Sequence, residues 1–155
     1  MKKLLTSLLV ALAFTTLQAA PKKLLVVTTT TGFRHSSIPT SEKILAQLAK
    51  ETGKFTVDFV QQPPDKPRDL KRDATDEEKT AYKTAADAWE ASLKEALKKL
   101  SPESLKNYDG VVFVSTTGDL PIPDKQGFLD WIKGRACVYW YSCGDGHISR
   151  LAGIY

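Results

Sequence analysis

Apolar and polar residues follow three patterns along this chain. Leu24 to Val27 is an unbroken apolar run that leads into Thr28 to Thr31, and Val111 to Val114 is another, entered from Asp109-Gly110. Runs without alternation suit strands buried on both faces, as in a parallel sheet. Phe55 to Val60 reads as a further strand. Between the first run and this strand the pattern becomes helical: Ile44, Leu45 and Leu48 recur at helical spacing until Gly53 stops the element. Ser36 or Ser37 is placed to cap that helix, with Pro39 in its first turn.

Pro63, Pro64 and Pro67 mark a break, and residues 63–107 read as a charged helical insertion. Thr75 with Glu78 matches a capping box. Tyr82, Ala85, Trp89, Leu93, Leu97 and Leu100 then form one stripe at steps of three and four, which suits a long helix laid on its own domain better than a partner-binding helix. Ser101-Pro102 opens a short helix. Pro123 to Lys133 is helical again, with Phe128, Trp131 and Ile132 inward and Gly134 as the stop. This alternation predicts an α/β fold with a doubly wound, mostly parallel sheet.

Met1 to Ala19 stands apart. Lys2 and Lys3 precede an apolar stretch from Leu4 to Leu17, and the small residues Ala19 and Ala20 follow. The stretch is short for a membrane span, so a cleaved signal peptide is expected, with an N-terminal anchor as the alternative. The expected location is periplasmic or secreted, with no membrane partner after cleavage. Loss of the leader lowers the net charge from +4 to +2, because 20 Lys and Arg then face 18 Asp and Glu. Those charges alternate in sign, and no clustered basic face with interleaved aromatics points to nucleic acid. Cys137 and Cys143 are a poor framework for a disulfide fold.

In open parallel sheets the ligand crevice lies beyond the carboxyl ends of the strands. Two segments fall there: T-T-T-G-F-R-H-S-S at Thr29–Ser37 and S-T-T-G-D at Ser115–Asp119. Gly32 and Gly118 permit a tight turn or a close backbone approach. The candidate binding residues are Phe33, Arg34, Thr116, Thr117, Gly118 and Asp119, and His35 is the candidate acid/base. Arginine offers a fixed fork of donors, and histidine exchanges a proton near neutral pH. The competing reading has Arg34 and His35 pairing with Asp119 at the sheet edge, and the threonines only tying off the loop. One histidine with one aspartate makes a weak metal site. No Ser-His-Asp pattern, G-x-S-x-G elbow or phosphate-binding P-loop occurs, so neither a metal nor a cofactor is expected.

These two segments carry a family resemblance. L-L-V-V-T-T-T-T-G-F-R-H-S-S-I-P and Y-D-G-V-V-F-V-S-T-T-G-D-L resemble the opening and third strand of the ThuA-like (trehalose-utilisation) family. The likeness spans roughly residues 22–134. It implies a class I glutamine amidotransferase-like, flavodoxin-like fold and a small carbohydrate as ligand. It implies no oligomeric state. A non-catalytic carbohydrate-binding or interaction module is the alternative. Amidotransferase activity is not implied, because no cysteine occupies a strand–helix elbow.

After Gly134 the resemblance stops, where the family continues with a G-x-H-x-A turn and a D-T-F-H-G-like segment. Back-translating Tyr139–Cys143 and reading one nucleotide later permits I-G-I-H, with the glycine forced. The same shift carried to Tyr155 permits A-A-T-D-T-F-H-G-W-P-E-Y. The expectation is a protein linked to utilisation of trehalose or a related glycoside but non-functional as written: an incomplete domain over 20–134 followed by an out-of-frame tail, 135–155, in which Cys137, Cys143 and His147 are accidents.

Overall fold

The computed structural model describes residues 19–135, 138–141 and 148–150. Strand β1 (Lys22–Val27) leads to α1 (Ile38–Thr52) and β2 (Phe55–Val60); α2 (Asp76–Leu97), a 3-10 turn (Lys98–Leu100) and α3 (Pro102–Leu105) follow. Then come β3 (Gly110–Val114), α4 (Lys125–Arg135), β4 (Val138–Tyr141) and β5 (Ile148–Arg150). The sheet order is β2-β1-β3-β4-β5. The first four strands are parallel neighbours, and β5 runs antiparallel to β4. The chain is therefore a mixed α/β fold. From β1 it crosses to β2 on one side, then returns past β1 to place β3 on the other.

The apolar runs behave as their lack of alternation requires. Leu25, Val26 and Val27 have no exposed surface. Leu25, Val27, Val111 and Phe113 share one face with Leu93 and Leu97 of α2, Leu100, Leu105 and Phe128. The segment expected as an insertion thus supplies much of the core. α1 serves the opposite face, where Glu42 meets the Thr28 hydroxyl. The capping box forms in full: the Thr75 hydroxyl accepts from Glu78 N at 3.2 Å, and Glu78 Oε2 accepts from Thr75 N at 2.8 Å. Cys137-to-Tyr141 composition suits a strand, and Val138–Tyr141 pairs with β3 in register Val111↔Val138.

Four local expectations change. Neither serine caps α1 through its side chain: Ser37 is itself helical (φ −73°, ψ −17°), and its hydroxyl meets His35 instead. Ile44 and Leu48 are about half exposed, because the rotation of α1 turns Ile38 and Leu45 inward rather than the whole apolar set. Ala85 is exposed while Ala86 is half-buried, so the stripe on α2 lies one residue over at that turn. Gly134 does not stop α4, which continues to Arg135. Gly53, at φ +61°, does end α1 in the left-handed conformation a glycine cap favours.

Of the expected leader only Ala19 is among the described residues, and Cys137, Cys143 and His147 lie outside them. Among the described residues no helix is long and apolar enough to cross a membrane.

Candidate functional site

The segments after β1 and β3 interlock at the carboxyl edge of the sheet. The Thr117 carbonyl accepts three bonds: from Thr31 N and Gly32 N at 3.1 Å each, and from the Thr30 hydroxyl at 2.7 Å. The Thr117 hydroxyl donates to Phe33 O at 2.7 Å, and the Thr31 hydroxyl donates to Asp119 O at 3.1 Å. Gly118 makes this approach possible. Its φ is +81°, and a Cβ there would strike the Thr31 hydroxyl and stand 2.6 Å from Gly32 N. The threonine hydroxyls thus tie the two loops together.

Arg34 and His35 have partners other than Asp119. Arg34 Nη1 donates to Thr28 O at 2.8 Å and to Gln62 Oε1 at 3.3 Å, and Nη2 lies 4.0 Å from Glu42. Glu42 also accepts from the Thr28 hydroxyl at 2.5 Å and from Gln61 at 2.8 Å. This network joins α1 to the ends of β1 and β2. His35 Nδ1 accepts from Ser37 N at 3.1 Å and lies 2.8 Å from the Ser37 hydroxyl, so the neutral tautomer that fits carries its proton on Nε2. Phe33, 73% exposed, meets His35 edge-on at 6.2 Å. Asp119 is exposed and held by Lys125 Nζ at 3.1 Å.

Behind the loops, hydroxyls are buried without use. Thr29 Oγ1, Ser115 Oγ and Thr116 Oγ1 have no hydrogen-bond partner among the described residues. Ser115 also adopts φ +48°, a conformation unusual for a residue with a side chain. Thr116 thus belongs to the floor of the site and presents little surface, whereas Thr117, Gly118 and Asp119 are exposed.

Beside the interlocked loops opens a cleft of about 300 Å³, lined by Thr31, Ala86, Trp89, Glu90, Leu93, Asp119 and Pro121. Its wall from α2 was hidden in the sequence, where Trp89 reads as one more apolar position in a helical stripe. Lys66 ties that wall to the first loop: Nζ donates to Thr31 O at 2.8 Å and Gly32 O at 3.3 Å, and it lies 5.3 Å from the Trp89 ring centre. The Trp89 indole N–H donates to Pro63 O at 3.2 Å. The three-proline spacing around Lys66 was the available signal, since it marks a stiff segment that can hold a side chain in place.

Apolar Ala86, Trp89, Leu93 and Pro121 share the lining of the cleft with polar Thr31, Glu90 and Asp119. Among the described residues no group of three His, Cys, Asp or Glu side chains is placed to hold a metal ion. No family model matches this chain, and no curated protein or solved structure matches it significantly.

Proposed function

We propose that this chain is an exported α/β domain of the ThuA-like kind that binds a small carbohydrate at the loops after β1 and β3. The observation that carries this reading is the interlock of Thr30 with Thr117, bordering a cleft to which those loops contribute Thr31 and Asp119. The strand order supports a doubly wound, flavodoxin-like arrangement, in which the gap between β1 and β3 is the expected ligand position. In this reading Asp119 accepts a sugar hydroxyl, Thr117 and Gly118 hold the loop that presents it, and Phe33 offers an exposed ring beside the mouth. Arg34 fixes the first loop, and His35 is the one side chain there suited to proton transfer near neutral pH.

A binding module without catalysis is the reading favoured by the partners of Arg34 and His35. Both are engaged in holding the loop and the start of α1, which leaves recognition rather than turnover to the exposed residues.

Titration of the purified protein with trehalose and with D-glucose, followed by amide NMR, tests this. Shifts at Thr31, Gly118 and Asp119, weakened severalfold by Asp119→Asn, are expected. A folded protein whose spectrum is unmoved by either sugar refutes the proposal. Product formation that disappears in His35→Gln, while binding persists, would make the domain an enzyme. For export, N-terminal sequencing should find Ala20 or Pro21 first in the periplasmic or secreted fraction; intact Met1 on cytosolic protein would remove that part.

A further inference from the structure

Trp89 of α2 packs against the core with part of its surface and, with Glu90, lines the cleft beside the loops. Leu93 and Leu97 complete the core, yet one turn earlier Trp89 and Glu90 line the opening. The only polar atom of the Trp89 side chain is bonded to Pro63 O, and Lys66 Nζ lies over the ring, so what the indole gives the cleft is hydrocarbon. Glu90 and Asp119 both line the cleft, and each carboxylate is paired with an exposed lysine, Lys94 at 2.7 Å and Lys125 at 3.1 Å. A rigid aromatic surface beside hydrogen-bond acceptors suits a ring with one apolar C–H face and a hydroxylated rim. At about 300 Å³ the cleft is at the small end of ligand pockets, the scale of one sugar ring.

We infer that α2 supplies the selectivity wall of the carbohydrate site: a single pyranose ring lays its C–H face on Trp89 and gives hydroxyls to Glu90 and Asp119. This rests on the proposed carbohydrate binding at the loops. Lys66 is a positioning residue, since it holds the Thr31 and Gly32 carbonyls and the Trp89 ring in one arrangement.

The test is amide and indole NMR titration with D-glucose and with the open-chain polyol sorbitol. The Trp89 indole and Glu90 amide should shift together with Thr31 and Asp119, for glucose and at least tenfold more weakly for sorbitol. Trp89→Phe, which keeps a ring, should retain affinity within about threefold, and Trp89→Ala should lose at least tenfold. Glu90→Gln, a surface change that leaves the core intact, should lose severalfold. Glucose binding at Thr31 and Asp119 with unchanged affinity in both Glu90→Gln and Trp89→Ala, and equal affinity for sorbitol, overturns this inference while leaving the loop site standing. No glucose binding at any of these residues removes both.

Discussion

The hydroxyls of Thr30 and Thr117 lie 2.8 Å apart although 87 residues separate them in the chain. That contact is the centre of the loop interlock, because Thr117 N also donates to the Thr30 hydroxyl at 3.2 Å. Each threonine therefore depends on the backbone of the other loop. Either loop alone would leave its polar groups to water.

The close approach makes Gly118→Ala the most damaging small substitution at the site. It forces a side chain into φ +81° and into Gly32 N and the Thr31 hydroxyl. The expected loss is about 3 kcal/mol, from left-handed strain and overpacking together. Gly53→Ala, at φ +61° with open space around it, should cost only about 1 kcal/mol. Urea unfolding of the two variants compares them; equal losses would mean the loops part easily.

Tyr108 gives the fold an alkaline limit. Burial and then the hydrogen bond to Asp58, at 2.9 Å, push its phenol up to about 12 from an ordinary value of 10.0. The folded state holds the phenol proton more tightly than the unfolded chain, so this stabilisation is complete below pH 10 and fades as pH rises towards 12. Tyr108→Phe should cost about 1 kcal/mol at neutral pH and reduce the difference in stability between neutral and alkaline solution. Ultraviolet titration of tyrosinate should show a late-ionising group in the native protein that the variant lacks.

Asp58 moves the other way. The Tyr108 hydroxyl holds its carboxyl below the ordinary 3.8, burial opposes this, and Lys23 Nζ at 3.2 Å adds to the lowering. Its contribution is present above the unfolded value and lost as acid takes pH down through the folded one. Because Asp58 is 42% exposed, the effect is screened and small. Asp58→Asn should flatten the acid limb of a pH–stability curve only slightly; a large change would show a stronger local field.

Caps and core leucines on α2 should separate cleanly. Thr75→Ala removes the capping box and should cost about 1 kcal/mol, with Thr75→Ser restoring most of it. Leu97→Ala, in a fully buried position, should cost about 2–5 kcal/mol. Leu48→Ser, on the exposed side of α1, should stay within about 0.5 kcal/mol of the parent. Chemical denaturation of all four gives the ranking.

The runs at Leu24–Val27 and Val111–Val114 were legible because burial on both faces leaves a signature that needs no tertiary knowledge. Phe55–Val60 has the same limits in sequence and structure, and the Thr75–Glu78 box is local chemistry that forms from its own four residues. The facing side of α1 was not legible. Apolar spacing locates a helix, but its rotation follows from Ile38 packing and from Glu42 reaching Thr28, contacts between distant parts of the chain. The same holds at the site. The two loops stand out by composition, whereas the partners of Arg34 and His35 depend on where α1 begins, and Trp89 joins the cleft only because Pro63 and Lys66 cross above it.

The order β2-β1-β3 has a consequence for how the chain is made. β1 pairs with β2 in register Lys22↔Phe55, so that half of its ladder closes early, with α1 formed between. Its other side waits for Gly110, which meets Leu24. At about 5–20 residues per second, ribosomal synthesis from Phe55 to Gly110 takes roughly 3–11 seconds. Throughout that interval a strand destined for the middle of a sheet is an apolar border with open backbone groups, and the nascent chain must be shielded there by chaperone or by α2 arriving first.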